Sequence, residues 1–299
     1  MPTQSSAEPD WMIMRNANLN ELLSKYGKGI YDINTIAEEI IAYTGQPELE
    51  VWRRLALELD QTGSNVVKET ARFGVTPHVF DENLIKFYQE SDGFIYETCI
   101  EGRNPYRITK WLNIVDFVNQ RSKQPDKCNV LLYGDSVGND SIFLSRMGFN
   151  VYYHDFDGYC SRFAKERFLK RSLSVHSFQP GESRQFDFVI CFEVAEHVPN
   201  PSELIAELAQ LTGETGYCIF SESFGLIQPG FPTHLASNEQ YIGKADSMFR
   251  RQGMHAAWRD VDEKPIVYTR LPDVAEDRTL RIMRRMKEIA RSVKHLMHL

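Results

Sequence analysis

Residues 130–158, VLLYGDSVGNDSIFLSRMGFNVYYHDFDG, run through an apolar strand, a glycine turn, a helix, a second apolar strand and an acid. This run constrains the fold of the chain more than any other feature. Parallel strands need a crossover between them, so a strand–helix–strand order predicts an open α/β sheet. Gly134 ends the first strand and Gly138 stands just before the helix, which lets the backbone turn tightly and bring a ligand to the helix N-terminus. Asp155 closes the second strand, the place where doubly wound folds set an acid against ribose hydroxyls. The layout is that of a site for a nucleotide-like ligand.

The alternation continues downstream. Strands are expected at 129–134, 150–155, 173–178, 186–192 and 217–222. Between the last two, NPSELIAELAQL opens with Asn200 as cap and Pro201 at the first helical position, where a missing amide hydrogen costs nothing. HAAWRDVDEKPIVYTR reads as an antiparallel hairpin that closes the sheet. Upstream the pattern is mainly helical: NANLNELLSKYG, DINTIAEEIIAYTG with an Asp cap and Gly45 as stop, PELEVWRRLALELDQTG with Gly63 as stop, and RITKWLNIVDFVNQ. SDGFIYETCIEGRNPYR, rich in aromatic and glycine residues, reads as a short strand or an ordered loop that covers a pocket. Four parts follow: a frayed tail at 1–12, a helical accessory or lid domain at 13–123, the α/β domain at 124–270 and a basic helix at 271–299. In that last helix Ile282, Met286, Ile289, Val293 and Leu296 recur at heptad-like spacing. It packs on its own domain or, as the sharper alternatives, forms a homodimer seam or a membrane-surface face.

The net charge of -7 and pI near 5.7 argue against a nucleic-acid partner, which favours a basic domain. No apolar run approaches the roughly 20 residues of a bilayer span, and the N-terminal stretch lacks the marks of a secretory signal, so a cytoplasmic location is expected. The five cysteines are scattered without CxxC spacing and read as reduced thiols. No DN or DD pair follows the fourth strand, and no HxxxH or clustered His/Cys set appears, so no metal is expected. The charge run Arg162, Lys165, Arg167, Lys170 and Arg171 reads as a solvated helix face.

Residues 186–222, FDFVICFEVAEHVPNPSELIAELAQLTGETGYCIFSE, resemble the fourth strand, following helix and fifth strand of the class I S-adenosylmethionine-dependent methyltransferases. The match includes Phe186, Asp187, Val189, Glu193, Val194, Glu196, His197 and Val198, with Gly134, Gly138 and Asp155 in register upstream, and covers about 128–270. The resemblance implies a doubly wound, Rossmann-like sheet and S-adenosylmethionine as cofactor. It sets the turn Gly134, Asp135, Ser136 and Gly138 against the methionine part, Asp155 on the ribose and Phe156 beside the adenine. Phe192 and Glu193 would border the sulfonium and the substrate. The chain departs from the family pattern where Leu132 or Tyr133 replaces the strand-one acid, and where VHSFQPGESRQ lacks the family's usual acid after strand three, so adenine contacts there fall to Ser177 and Phe178.

Methyl transfer is an in-line displacement at an activated carbon and needs chiefly alignment and exclusion of water. The acceptor is expected to be a small molecule, a sugar or natural-product hydroxyl, because His234 lies in the loop after strand five and a histidine suits removal of a hydroxyl proton near pH 7. His234 otherwise caps or staples the following helix. Glu222 and Tyr241 are weaker candidates at the same end. His197 and Glu196 read as structural, and Glu193 as the acid that touches the active site. Tyr96, Arg103, Tyr106 and Arg107 are expected to fold over the cofactor, an arginine pairing its carboxylate, or else to anchor a loop. Two other readings stay open. A nicotinamide oxidoreductase shares the glycine turn and Asp155 but expects glycine where Ser136 stands, and a non-catalytic protein would keep the fold around a degenerate pocket.

Overall fold

The computed structural model describes residues 17–122, 124–259 and 264–272. The expected tail and the heptad-like stretch 282–296 lie outside these. Seven strands form one sheet in the order β3-β2-β1-β4-β5-β7-β6: β1 (Asn129–Tyr133), β2 (Asn150–His154), β3 (Val175–Ser177), β4 (Phe186–Phe192), β5 (Thr212–Ser221), β6 (His255–Arg259) and β7 (Ile266–Thr269). β1 to β5 are mutually parallel, and the hairpin enters antiparallel with β7 against β5. Strand order reverses between β1 and β4, the place where open α/β sheets leave a ligand crevice.

Helices α1 (Ala17–Tyr26), α2 (Ile33–Thr44), α3 (Glu48–Asp60), α4 (Ser64–Arg72), α5 (Glu82–Glu90), α6 (Gly93–Glu101) and α7 (Pro105–Arg121) precede the sheet. Those after it begins are α8 (Asn139–Arg146), α9 (Tyr159–Lys170), α10 (Pro201–Leu211) and α11 (Ala245–Arg251). α7 and α8 cover one sheet face: Trp111, Leu112, Val115 and Val118 share an apolar cluster with Phe143, Val130, Leu132 and Val151. α10 and α11 cover the other, where Leu204, Ile205, Leu208 and Phe249 meet Leu131, Val189 and Cys191. α2, α3 and α6 bury Ile36, Ile40, Leu55, Ile95 and Tyr96 against Val137 and Phe163, so the helical layer lies over the turn after β1. Among the described residues no helix is long and apolar enough to cross a membrane.

Most expected elements are present, with shifted ends. β3 is only three residues long, with His176 and Ser177 exposed at the sheet edge. β5 starts earlier than expected, at Thr212. Two corrections concern the helical layer. The segment 91–107 holds neither strand nor loop but α6 and the start of α7, because Ile95, Tyr96, Cys99 and Ile100 recur at helical spacing and bury one stripe. Gly63 does not stop α3, which ends at Asp60; it is the left-handed N-cap of α4. The reversal is made by Glu58, whose carboxylate accepts from Gly63 N at 2.7 Å and Asn65 N at 2.6 Å.

A buried ion pair ties this layer together. Arg54 on α3 donates Nη1 and Nη2 to Asp92 at 2.6 and 2.8 Å and Nε to Asn65 at 2.8 Å, with its guanidinium over the Tyr96 ring. Removing one partner of such a pair leaves an uncompensated buried charge. Asp92→Ala is therefore expected to destabilise the protein by about 3–5 kcal/mol, read as a lower midpoint in urea unfolding. A loss under about 1 kcal/mol would mean that water reaches Arg54.

Candidate active site

The carboxyl ends of β1, β2 and β4 open on a cavity of about 690 Å³, roofed by α4, α5, α6 and the start of α7 and closed by the loop after β5. At its floor the turn after β1 is held in an unusual conformation. Gly134 has φ +82°, and a Cβ there would stand 2.3 Å from Val194 Cγ2. Ser136 also lies at positive φ, +41°, and its N–H donates to Asp155 Oδ2 at 2.6 Å. Asp135 turns its carboxylate onto Asp140 N at 3.2 Å and Ser141 N at 2.7 Å, which caps α8 in place of an N-cap side chain. Burial, and then the neighbouring Asp140, push the Asp135 carboxyl up. Desolvation likewise pushes Asp155 up to about 6, against the hydrogen bonds from Ser136 and Phe156.

Beside the turn, Arg107 pairs with Asp140 at 3.2 Å and is the one Lys or Arg among the described lining residues. On the β2 side Phe156 stands 45% exposed, its ring tilted against Tyr88, which stacks on Phe94 at 5.6 Å. From the roof, Glu97 faces the cavity with Oε2 unpartnered; desolvation, Glu58 and Glu101 push it up to about 8.

The far end is built by the ends of β4 and β5. Glu193 adopts φ +53° and accepts from Ser221 Oγ at 2.6 Å and from Ser223 Oγ. The turn Ala195–His197 carries Glu196 and His197 into the same wall, and His234 reaches it from the loop after β5. The His197 and His234 rings meet edge to face, 4.7 Å apart. Burial, followed by the neighbouring His234, lowers His197 to about 3, and burial lowers His234 as well. Both are neutral imidazoles near pH 7.

Of the residues singled out in the sequence, Gly134, Asp135, Ser136, Asp155, Phe156, Phe192, Glu193, His234 and Arg107 line this cavity. Others do not. Gly138 faces α9, where a Cβ would meet Phe168 at 2.5 Å, so it serves helix packing. Ser177 is exposed at the sheet edge and Phe178 is buried against Phe186, while His154 takes the cavity-facing place with Nδ1 at 3.2 Å from the Phe178 carbonyl. Tyr96 points into the helical layer and donates to Gln46, Arg103 donates to the Tyr31 carbonyl, and Tyr106 is exposed. Glu222 is taken up by Lys264 and Phe224 N, and Tyr241 packs on Phe224. The roof residues Phe94, Glu97, Thr98 and Glu101 were not singled out in the sequence, where their only signal is a helical period in a segment that reads as strand or loop, nor was Tyr88 on α5.

A parallel sheet with reversed strand order, a glycine turn joined to an acid at the end of β2, and a partly open cavity define a nucleotide- or nucleoside-binding enzyme of the doubly wound class. Residues 104–268 match the family model described as a methyltransferase domain, and the chain belongs to that family, whose methyl donor is S-adenosylmethionine. It is 39% identical over 56 residues to the ubiquinone biosynthesis O-methyltransferase of Pasteurella multocida (strain Pm70), a stretch that is 19% of this chain and 23% of that protein. Among solved structures it is similar to a putative sarcosine dimethylglycine methyltransferase from Galdieria sulphuraria, with TM-score 0.41 and 16% identity over 51% of this chain and 63% of that one. It is also similar to a SAM dependent methyltransferase from Aquifex aeolicus, with TM-score 0.38 and 17% identity over 52% and 86%.

The cavity's chemistry suits that donor. A ribose diol donates hydrogen bonds and asks for a carboxylate, which Asp155 offers with one oxygen already fixed by Ser136. An amino-acid carboxylate asks for a cation, which Arg107 provides beside the turn. A diol held by Asp155 needs the ionised form, and the folded value near 6 lies above the ordinary 3.8. Affinity for S-adenosylhomocysteine is thus expected to be constant above about pH 7 and to fall as pH drops through 6, approaching tenfold per unit. Calorimetric titration from pH 5 to 8 checks this. Asp155→Asn should weaken binding on the order of tenfold or more and flatten the pH dependence; an unchanged profile would remove Asp155 from the cofactor site.

Proposed function

We propose that the protein transfers the methyl group of S-adenosylmethionine to a hydroxyl of a small acceptor, an apolar natural product or a sugar. The observation that carries this reading is the convergence of Glu193, His197 and His234 on one wall of the cavity. Phe80, Phe94, Phe231 and Leu226 give the neighbouring wall an apolar character suited to an organic acceptor. The stretch shared with an O-methyltransferase supports oxygen as the methylated atom.

When bound, S-adenosylmethionine supplies a methyl carbon already activated by its sulfonium. The chain's own residues then align and protect. The turn Gly134 to Ser136 takes the methionine part, Asp155 the ribose hydroxyls, Phe156 one face of the adenine, and Arg107 the carboxylate. The helical layer excludes water from the line of attack. His234 and the Glu193 carboxylate are the two groups that can receive the acceptor's proton: His234 is neutral because burial lowers it, and Glu193 is oriented by two serine hydroxyls.

Radiolabelled S-adenosylmethionine offered with a panel of phenols, catechols and glycosides, with products placed by NMR, tests the reading. An O-methyl product is expected. His234→Asn should lower kcat by roughly 10²–10⁴ with the affinity for S-adenosylhomocysteine unchanged. Methylation at nitrogen or carbon, or full turnover by that variant, would sink the hydroxyl reading.

A further inference from the structure

Two side chains in this wall lack the partners that their burial calls for. Glu196 is 0% exposed and neither carboxylate oxygen has a hydrogen-bond partner; His234 is 6% exposed and its Nδ1 has none. His197 completes the group, and one ligand atom from each of the three lies within 4.8 Å of the others. A buried acid that has no partnered oxygen and lies beside the Glu193 carboxyl and two imidazoles offers lone pairs that a cation would take up. A cation takes up all three sets of lone pairs at once.

We propose that Glu196, His197 and His234 bind a divalent first-row transition-metal ion of the zinc type in the wall of the cavity. The proposal deepens the reading of this end as the acceptor site and rests on it. Two imidazoles and one carboxylate make a donor set that favours zinc, iron or manganese over magnesium and calcium, and it is a set that leaves coordination positions open. His197 Nδ1 lies 3.2 Å from both the Thr233 carbonyl and the Tyr88 hydroxyl; in the tautomer that donates Nδ1–H to the carbonyl, the lone pair is on Nε2 and the outer contact is that of a ligating histidine.

The frame is preset by the backbone. Asn238 Nδ2 binds the carbonyls of Ala195, Glu196 and Val198 at 3.2, 3.1 and 2.9 Å, and Leu235 N donates to the Glu196 carbonyl at 2.9 Å. His78 Nδ1 donates to the His234 carbonyl at 2.9 Å. The turn with Glu196 and His197 is thus clamped to the loop with His234. Bonds of about 2.0–2.2 Å place two ligand atoms at most about 4.4 Å apart, so small side-chain rotations close the set. An ion there has its open positions toward the cavity, where it lowers the pKa of a hydroxyl it binds. His234 is then a ligand, and Glu193 is the group left to receive the proton. The metal-free expectation rested on HxxxH-type spacing, which a site split between two distant loops does not have.

The test is a titration of the EDTA-treated full chain with Co²⁺, followed by its visible absorption, and displacement by Zn²⁺. One saturable equivalent is expected, with bands of a low-coordinate site. Glu196→Gln, His197→Asn and His234→Asn should each weaken Co²⁺ binding on the order of tenfold or more, and His176→Asn on β3 should not. S-adenosylhomocysteine binding is measured on the same samples without metal. It reports folding of each variant, and its absence in the wild type would overturn the methyltransferase reading while leaving the metal result standing. No saturable Co²⁺ binding by the wild type, or equal affinity in every variant that still binds S-adenosylhomocysteine, would overturn the proposal.

Discussion

Arg167, on α9 and 1% exposed, donates Nη1 to the Val137 carbonyl at 2.6 Å and to Asn139 at 2.8 Å, and Nε to Glu39 at 2.9 Å. One guanidinium thereby joins the turn after β1, the first residue of α8 and helix α2 of the layer above. The turn it holds departs from ordinary backbone: Gly134, Ser136 and Gly138 all have positive φ. A non-glycine residue there persists only where its surroundings over-determine it. Here they do so from three sides, with Asp135 capping α8 from within, Arg167 gripping from behind and Asp155 taking the Ser136 N–H. The ligand turn and the acid after β2 form one unit, and the helical layer is docked to it by charge as well as by apolar burial.

This unit bears on the competing hydride-transfer reading. The middle position of a dinucleotide turn is glycine so that a pyrophosphate can approach the backbone. Ser136 occupies that position here, its Oγ lying 3.3 Å from Thr98 Oγ1 on α6. The side chain stands between the turn and the helical layer, where an incoming diphosphate would pass. A donor with no phosphates meets no such obstacle.

What was legible in the sequence was what a short run encodes. β1, β2 and β4 are apolar runs buried on both faces, and the turn, Asp155 and the Asn200–Pro201 helix start carry local signatures. The short extent of β3 and the early start of β5 carry none, because edge pairing and a bulge near Phe186 set them. The segment 91–107 shows the limit within one helix. It was chosen correctly as a pocket cover, yet Tyr96 was taken from the stripe that faces the helical core, whereas Glu97, Thr98 and Glu101 face the cavity. Which stripe points down depends on how the layer docks, and Arg54–Asp92 and Arg167–Glu39 decide that from far along the chain. The same holds for Glu196 and His234, which meet only because β4 and β5 end side by side.

The charge pattern of the cavity gives the site a direction. Its described lining carries Glu97, Glu101, Asp135, Asp140, Asp155, Glu193 and the buried Glu196, against the single guanidinium of Arg107. Desolvation raises Glu97 and Glu196, and the neighbouring Glu193 raises Glu196 further, so in the bare protein these two resist ionisation. A wall of this kind attracts a cation and loses that attraction once the charge is gone. The sulfonium of the methyl donor is cationic and the thioether left after transfer is neutral. Under the proposed function, that difference makes this wall a better match to the reactant than to the product.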